Sequence, residues 1–172
     1  MVDLLDALDA HHDRLTRLIA SLPEAAVRRR PAPHAWSLAQ IVDHLLRIDR
    51  GLRLDGPLAA PMVRATSPAR GRLICAILAL PLRIPAPPGV TSILPGPDPD
   101  PAATLAAWVA LRQTWYVPAD AASVAFRHPI VGPLCLPDAL AFLLAHHRHH
   151  DAQIARTCAA LGLACGSPTP HP

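Results

Sequence analysis

Four imidazoles fall within five positions of AFLLAHHRHHDAQIART, Ala141–Thr157: His146, His147, His149 and His150. On a helix, residues at i and i+4 share a face, so His146 and His150 stack their rings. A divalent ion can be held between such a pair, each nitrogen about 2.0–2.1 Å away. His146/His149 and His147/His150, at i and i+3, offer the same chemistry. The apolar direction of this segment is set by Leu140, Leu143, Leu144, Ile154, Cys158 and Leu161, and it runs nearest His147. His150 is moderately inward, His146 lies at the margin and His149 faces away, so spacing favours His150 and leaves its partner open. The plainer alternative is an amphipathic helix with a polar histidine stripe. His44 lies three residues after Ile41 and four before Ile48, along the apolar stripe of an earlier helix. Alone, a histidine there is more often a satisfied core residue than a ligand. Of the remaining histidines, His11 and His12 belong to the first helix, one expected exposed and the other at an edge. His34 and His128 fall in or before loops, and His171 is in the tail.

Four helical segments must position these rings. The first runs from about Asp3 to Leu22, with Leu4, Leu8, Leu15, Leu18, Ile19 and Leu22 on one stripe, and Pro23 stops it. The second begins at WSLAQIVDHLLRIDRGL, where Ser37 and Gln40 form a capping-box pattern ahead of the stripe Ile41, Leu45, Ile48 and Leu52. A third starts near Pro101 and continues through Leu105, Trp108, Val109, Leu111, Trp115 and Tyr116. The last opens at LPDALAFLL and ends near Leu161, before Gly162. Between the second and third lies a Pro- and Gly-rich passage, Gly56 to Pro101, with a short extra helix expected over Arg72 to Ile84. A connection of that length usually covers something, often a site. VAFRHPIVGPLCLP reads as a second connection. The expected fold is all-α, a four-helix bundle with long connections after the second helix and before the last.

Composition bounds the function. A chain of 172 residues supports one domain with a real core. Half the residues are apolar but only six are aromatic, which favours helices packed through Leu, Ala, Val and Ile. Net charge is +3, all of the basic residues being arginine, and the run Arg28–Arg30 reads as a solvated loop. No basic recognition helix is present, so nucleic acid is not an expected partner. The acidic N-terminus MVDLLDALDA is unlike a secretory signal. The longest apolar run, LICAILALPL, is about half a membrane span, so no membrane association is expected either. Cys75, Cys135, Cys158 and Cys165 lack CxxC spacing and are expected as reduced thiols of a cytoplasmic protein.

Three stretches in order, WSLAQIVDHLLRID, HPIVGPLCLPDALAFLLAH and HHRHHDAQI, resemble the DinB-like superfamily, the DinB/YfiT-type metalloenzymes. The likeness covers roughly Val2 to Leu161, giving a single domain over 1–162 and a disordered tail over 163–172. By position it implies His44, His146 and His150 as metal ligands, with Gln153 marking the register. The additional His147 and His149 depart from the pattern and leave either as an alternative to His146. Three imidazoles and an open position describe a catalytic site, since structural zinc is normally closed by four protein ligands. Zinc is the default ion and nickel the next, imidazole suiting both. Asp43 and Asp151 flank ligands as outer partners at best.

The resemblance further implies a thiol-dependent S-transferase, in which a low-molecular-weight thiol such as bacillithiol or mycothiol is activated on the metal and attacks an electrophile. The reacting group is then a metal-activated thiolate or water rather than a side chain, which agrees with the lack of any Ser-His-Asp or Cys-His arrangement. Because such thiols carry carboxylates, Arg47, one turn beyond His44, and Arg112, on the apolar face of the third helix, are candidate cofactor-binding cations. The plainer reading of each is a packed stem with a solvated head. Metal-assisted hydrolysis and a non-catalytic, stress-associated metal-binding scaffold are the competing functions. Partners are the thiol and the electrophile, and bundles of this type often pair as homodimers.

Overall fold

The computed structural model describes residues 2–52, 68–80, 91–115 and 124–165. Helix α1, Val2–Ala20, ends two residues before the expected Leu22. Pro23 then starts an unanticipated short helix, α2, Glu24–Arg28, which buries Val27. Helix α3, Leu38–Asp49, opens on the capping box: Ser37 Oγ accepts from the Gln40 amide and Gln40 Oε1 from the Ser37 amide, both at 3.2 Å. Every residue of α3 except Arg47 is buried, so it is the central helix.

The short extra helix is α4, Pro68–Leu78, shifted towards the N-terminus from the expected Arg72 to Ile84, whose last residues lie outside the described residues. Helix α5, Pro101–Gln113, is capped by Asp100, which accepts from the Ala103 amide at 2.7 Å, with Pro101 fixing the first turn. Trp115 follows it, and Tyr116 lies outside the described residues. The passage before the last helix is not a plain connection. It forms an antiparallel hairpin, β1 Val124–His128 and β2 Gly132–Cys135, pairing Phe126 with Leu134 and His128 with Gly132. Helix α6, Leu136–Leu161, ends as expected at Gly162, whose φ of 68° is the left-handed conformation that favours glycine.

Helices α1, α3, α5 and α6 contact one another as a bundle: α6 against α1 and α3, α5 against α3 and α1, with α4 laid along α6. The fold is therefore all-α with one small hairpin. Its apolar core divides in two. One cluster gathers Leu8, Ile48, Phe126, Leu134, Leu140 and Leu143. The other gathers Leu15, Ile19, Leu38, Ile41, Leu45, Trp108 and Ile154. Between them α1 contributes buried His11 and His12, α3 His44 and Asp49, and α6 His146, His147 and His150. The histidine-rich segment is thus a polar waist across the bundle.

Two loop expectations are corrected. Arg28–Arg30 is not simply solvated. Arg28 pairs with Glu24, Asp98 and Asp100, Arg29 donates to the Leu161 carbonyl and Arg30 to that of Pro97. The three arginines thereby tie the loop before α5 and the end of α6 to α2. The cysteines are not all free thiols either, for Cys158 and Cys165 are joined as a disulfide seven residues apart. Leu163 and Cys165 also pack against the second apolar cluster; the tail beyond Cys165 lies outside the described residues. Among the described residues no helix is long and apolar enough to cross a membrane.

Candidate metal centre

His44 comes from the middle of α3, and His146 and His150 from adjacent turns of α6. The Nε2 atoms of His44 and His150 each lie 3.3 Å from Nε2 of His146, and the donor atoms of all three rings fall within 4.8 Å of one another. All three residues are buried.

The far side of each ring decides what Nε2 carries. His44 Nδ1 is 2.6 Å from the Ile93 carbonyl, which can only accept, so the Nδ1 proton is fixed there. His150 Nδ1 donates to Gln153 Oε1 at 2.8 Å. Burial pushes the His44 ring below its ordinary range, holds His146 well below it, and lowers His150 to about 3, with the neighbouring imidazoles adding to the effect on the last two. The rings are therefore neutral, and His44 and His150 aim unprotonated Nε2 atoms at the point His146 faces. One proton on His146 cannot satisfy both.

A tetrahedral ion 2.0–2.1 Å from each nitrogen would separate neighbouring ligands by about 3.3–3.4 Å, matching the two separations from His146. Bonds from Nδ1 to a carbonyl or amide oxygen are the usual outer support of ligating histidines. Nδ1 of His146 lacks such a partner among the described residues. The donor set fits a divalent metal.

Residues 91–100, the described end of the long connection, lie against the site. Asp43, beside His44, accepts from the Gly96 amide at 2.7 Å and from Arg47 Nε at 2.8 Å, while Gln40 donates to the Gly96 carbonyl at 2.9 Å. These bonds pin the loop that brings Ile93 to His44. Trp36 lies 5.0 Å from the His44 ring and stacks near-parallel on His150. On the other side, Phe142 stacks on His146. A cavity of about 1130 Å³ opens onto all three histidines and is lined by Trp36, Arg47, Phe142 and Gln153 among others.

Not every candidate converges here. Arg47 lines the cavity, but Arg112 does not: it pairs with Asp9 and lies 3.8 Å over the Trp115 ring. His149 donates to the Leu78 carbonyl of α4, and Asp151 binds His11 and Arg14. His147, nearest the apolar direction, is 1% exposed and faces away from the triad. Its Nε2 donates to Asp49 Oδ1 at 2.9 Å, and the Trp108 indole donates to Asp49 Oδ2 at 2.7 Å. This fully buried tie across α3, α5 and α6 was not anticipated from the sequence, and neither was the burial of both His11 and His12. A signal existed for the tie. Asp49 follows Leu45 by one turn, on the inward stripe, where a carboxylate needs a buried partner.

Together the fold and the triad define a helical bundle with a histidine-only candidate metal centre. Residues 7–154 match the family model described as the DinB superfamily, and the chain belongs to that superfamily. Neither the curated proteins nor the solved structures yield a match.

Proposed function

We propose that this protein is a divalent-metal-dependent S-transferase: His44, His146 and His150 hold the ion, zinc by preference and nickel next, and a low-molecular-weight thiol attacks an electrophile in the adjoining cavity. One observation carries the reading, the convergence of neutral imidazoles, two with their protons fixed on the far side, at the floor of a cavity large enough for two small molecules. A divalent ion held there would lower the pKa of a thiol placed on it. Ile93 and Gln153 orient the ligand rings, while Trp36 and Phe142 wall the site.

The thiol comes from outside the chain. The free Cys75 and Cys135 do not line the cavity, and burial pushes both thiols up, away from thiolate. Of Arg47 and Arg112, only Arg47 lines the cavity, its Nε engaged by Asp43.

Purified protein should carry about one divalent ion per chain by elemental analysis, and His150→Ala should remove it. The loaded protein should accelerate conjugation of bacillithiol, mycothiol or glutathione to monochlorobimane. Metal without acceleration by any of the three thiols would leave a metal-binding scaffold instead, and a folded protein that takes up no ion would refute both readings.

A further inference from the structure

The cavity above the histidines is lopsided in charge. Its described lining includes Arg47, Arg50, Arg127 and Arg156 and no aspartate or glutamate. A smaller depression of about 310 Å³ nearby shows the contrast: there Arg47 and Arg50 face Asp43, Asp98 and Asp100. Arg127 and Arg156 line only the large cavity, and neither has an ion-pair partner among the described residues. Much of the remaining wall is apolar, with Trp36, Ile48, Ile93, Phe126 and Phe142.

The hairpin end adds a further donor. His128 lies in the His-Pro motif, for which the metal centre has no use. Its Nδ1 accepts from the amides of Ile130 at 3.1 Å and Val131 at 3.2 Å. Amides only donate, so Nδ1 carries no proton. Burial lowers this ring to about 4, which leaves it neutral with the proton on Nε2. His128 lines the cavity and meets Phe142 edge-on, and Phe142 in turn stacks on His146. A Cβ placed on Gly51 would come within 2.7 Å of the Phe126 ring, so the end of α3 closes directly on β1. Arg50 and Arg127, each next in sequence to one side of that contact, both line the cavity.

We propose that the cavity takes an amphipathic anion, a small organic acid whose acid group is received at the hairpin end by Arg50, Arg127 and the Nε2–H of His128 while its apolar body lies along Phe126 and Phe142 towards the histidines. Arg127, without an ion-pair partner among the described residues, selects an acceptor-rich group, and a guanidinium binds a carboxylate through two parallel bonds. The proposal rests on the metal-centre reading only in directing the reactive end of the molecule at His44, His146 and His150.

Ligands matched in chain length separate the head group from the tail. Octanoate, octanol and octylammonium are titrated calorimetrically into the full chain, both metal-loaded and stripped by chelator. Octanoate should bind at least about tenfold tighter than octanol in both states, and octylammonium more weakly than either. Arg127→Gln, at an exposed position, should cost about fivefold to tenfold for octanoate and leave octanol unchanged. Arg156→Gln, beyond the triad on α6, should cost less.

Equal binding of octanoate and octanol overturns the proposal. So does a preference for octanoate that vanishes on stripping, because the acid would then be a metal ligand. A larger loss in Arg156→Gln than in Arg127→Gln overturns the placement. Metal content is measured separately: protein that binds no ion yet keeps the preference sinks the metal reading and spares this one.

Discussion

His146 and His147 are consecutive residues, yet they serve different faces of α6. His146 turns to His44 and His150, and His147 to the carboxylate of Asp49. Substitution should separate the two roles. His146→Ala is expected to lose the metal and keep the fold. His147→Ala is expected to keep nearly all of the metal but to lower unfolding free energy by about 2–4 kcal/mol, because Asp49 is left buried with only the Trp108 indole. Elemental analysis and urea unfolding of the two variants decide it, and a folded His147→Ala protein without metal would place the centre on the other face. The sequence carried this distinction only in part. Helical spacing showed that His150 points inward, but the apolar direction singled out His147, since periodicity measures burial and not purpose. Only the position of Asp49, across the helix interface, shows that the most buried imidazole is a structural partner. Arg112 misled for the same reason: its place on the apolar face of α5 marks burial beside Trp115, not access to the cavity.

At the level of elements, the helices were readable where a side chain or backbone requirement acts locally. The Ser37–Gln40 box, Pro101 after Asp100, and Gly162 at positive φ each set a boundary within a few residues of sequence. The hairpin was not readable, because its strands of five and four residues contain Pro133 and owe their place to Phe126 and Leu134 entering the apolar core. Tertiary burial, rather than alternation, makes them strands. That dependence gives Gly51→Ala a definite outcome. The new methyl would meet Cε2 of Phe126 at 2.7 Å and the Ile48 carbonyl at 3.0 Å, so the ring and β1 must shift. The expected cost is about 1–3 kcal/mol in chemical unfolding, with metal content unchanged, because the ligands sit on α3 and α6 rather than on the hairpin. A neutral substitution would show that the hairpin rides loosely on α3. Loss of metal would show that it holds the helices in register.

Across the whole molecule, the polar waist makes stability a function of pH. Burial is the largest influence on His11, His12, His44, His128, His146 and His150, and it lowers every one. In the unfolded chain these rings would titrate near 6.5. Below that pH the unfolded state takes up protons that the folded state refuses, so stability is fully present above about 6.5 and falls as the pH drops. The loss continues until the folded rings protonate, at about 4 for His128 and about 3 for His150. Each ring still held neutral contributes a slope of about 1.4 kcal/mol per pH unit, so two acting fully remove nearly 3 kcal/mol per unit. Asp151, bonded to His11, moderates the penalty on that ring, and the Asp43 carboxylate does so on His44. A bound ion should therefore steepen the dependence, since protons and metal compete for the same three nitrogens. Urea midpoints of the metal-free chain at pH 7.5, 6.5 and 5.5 test this directly. They should fall modestly between the first two and more than twice as far between the last two, more steeply once metal is supplied. A midpoint that stays level to pH 5.5 in both forms would mean that water reaches the imidazoles freely, and the two apolar clusters would not then seal the waist between them.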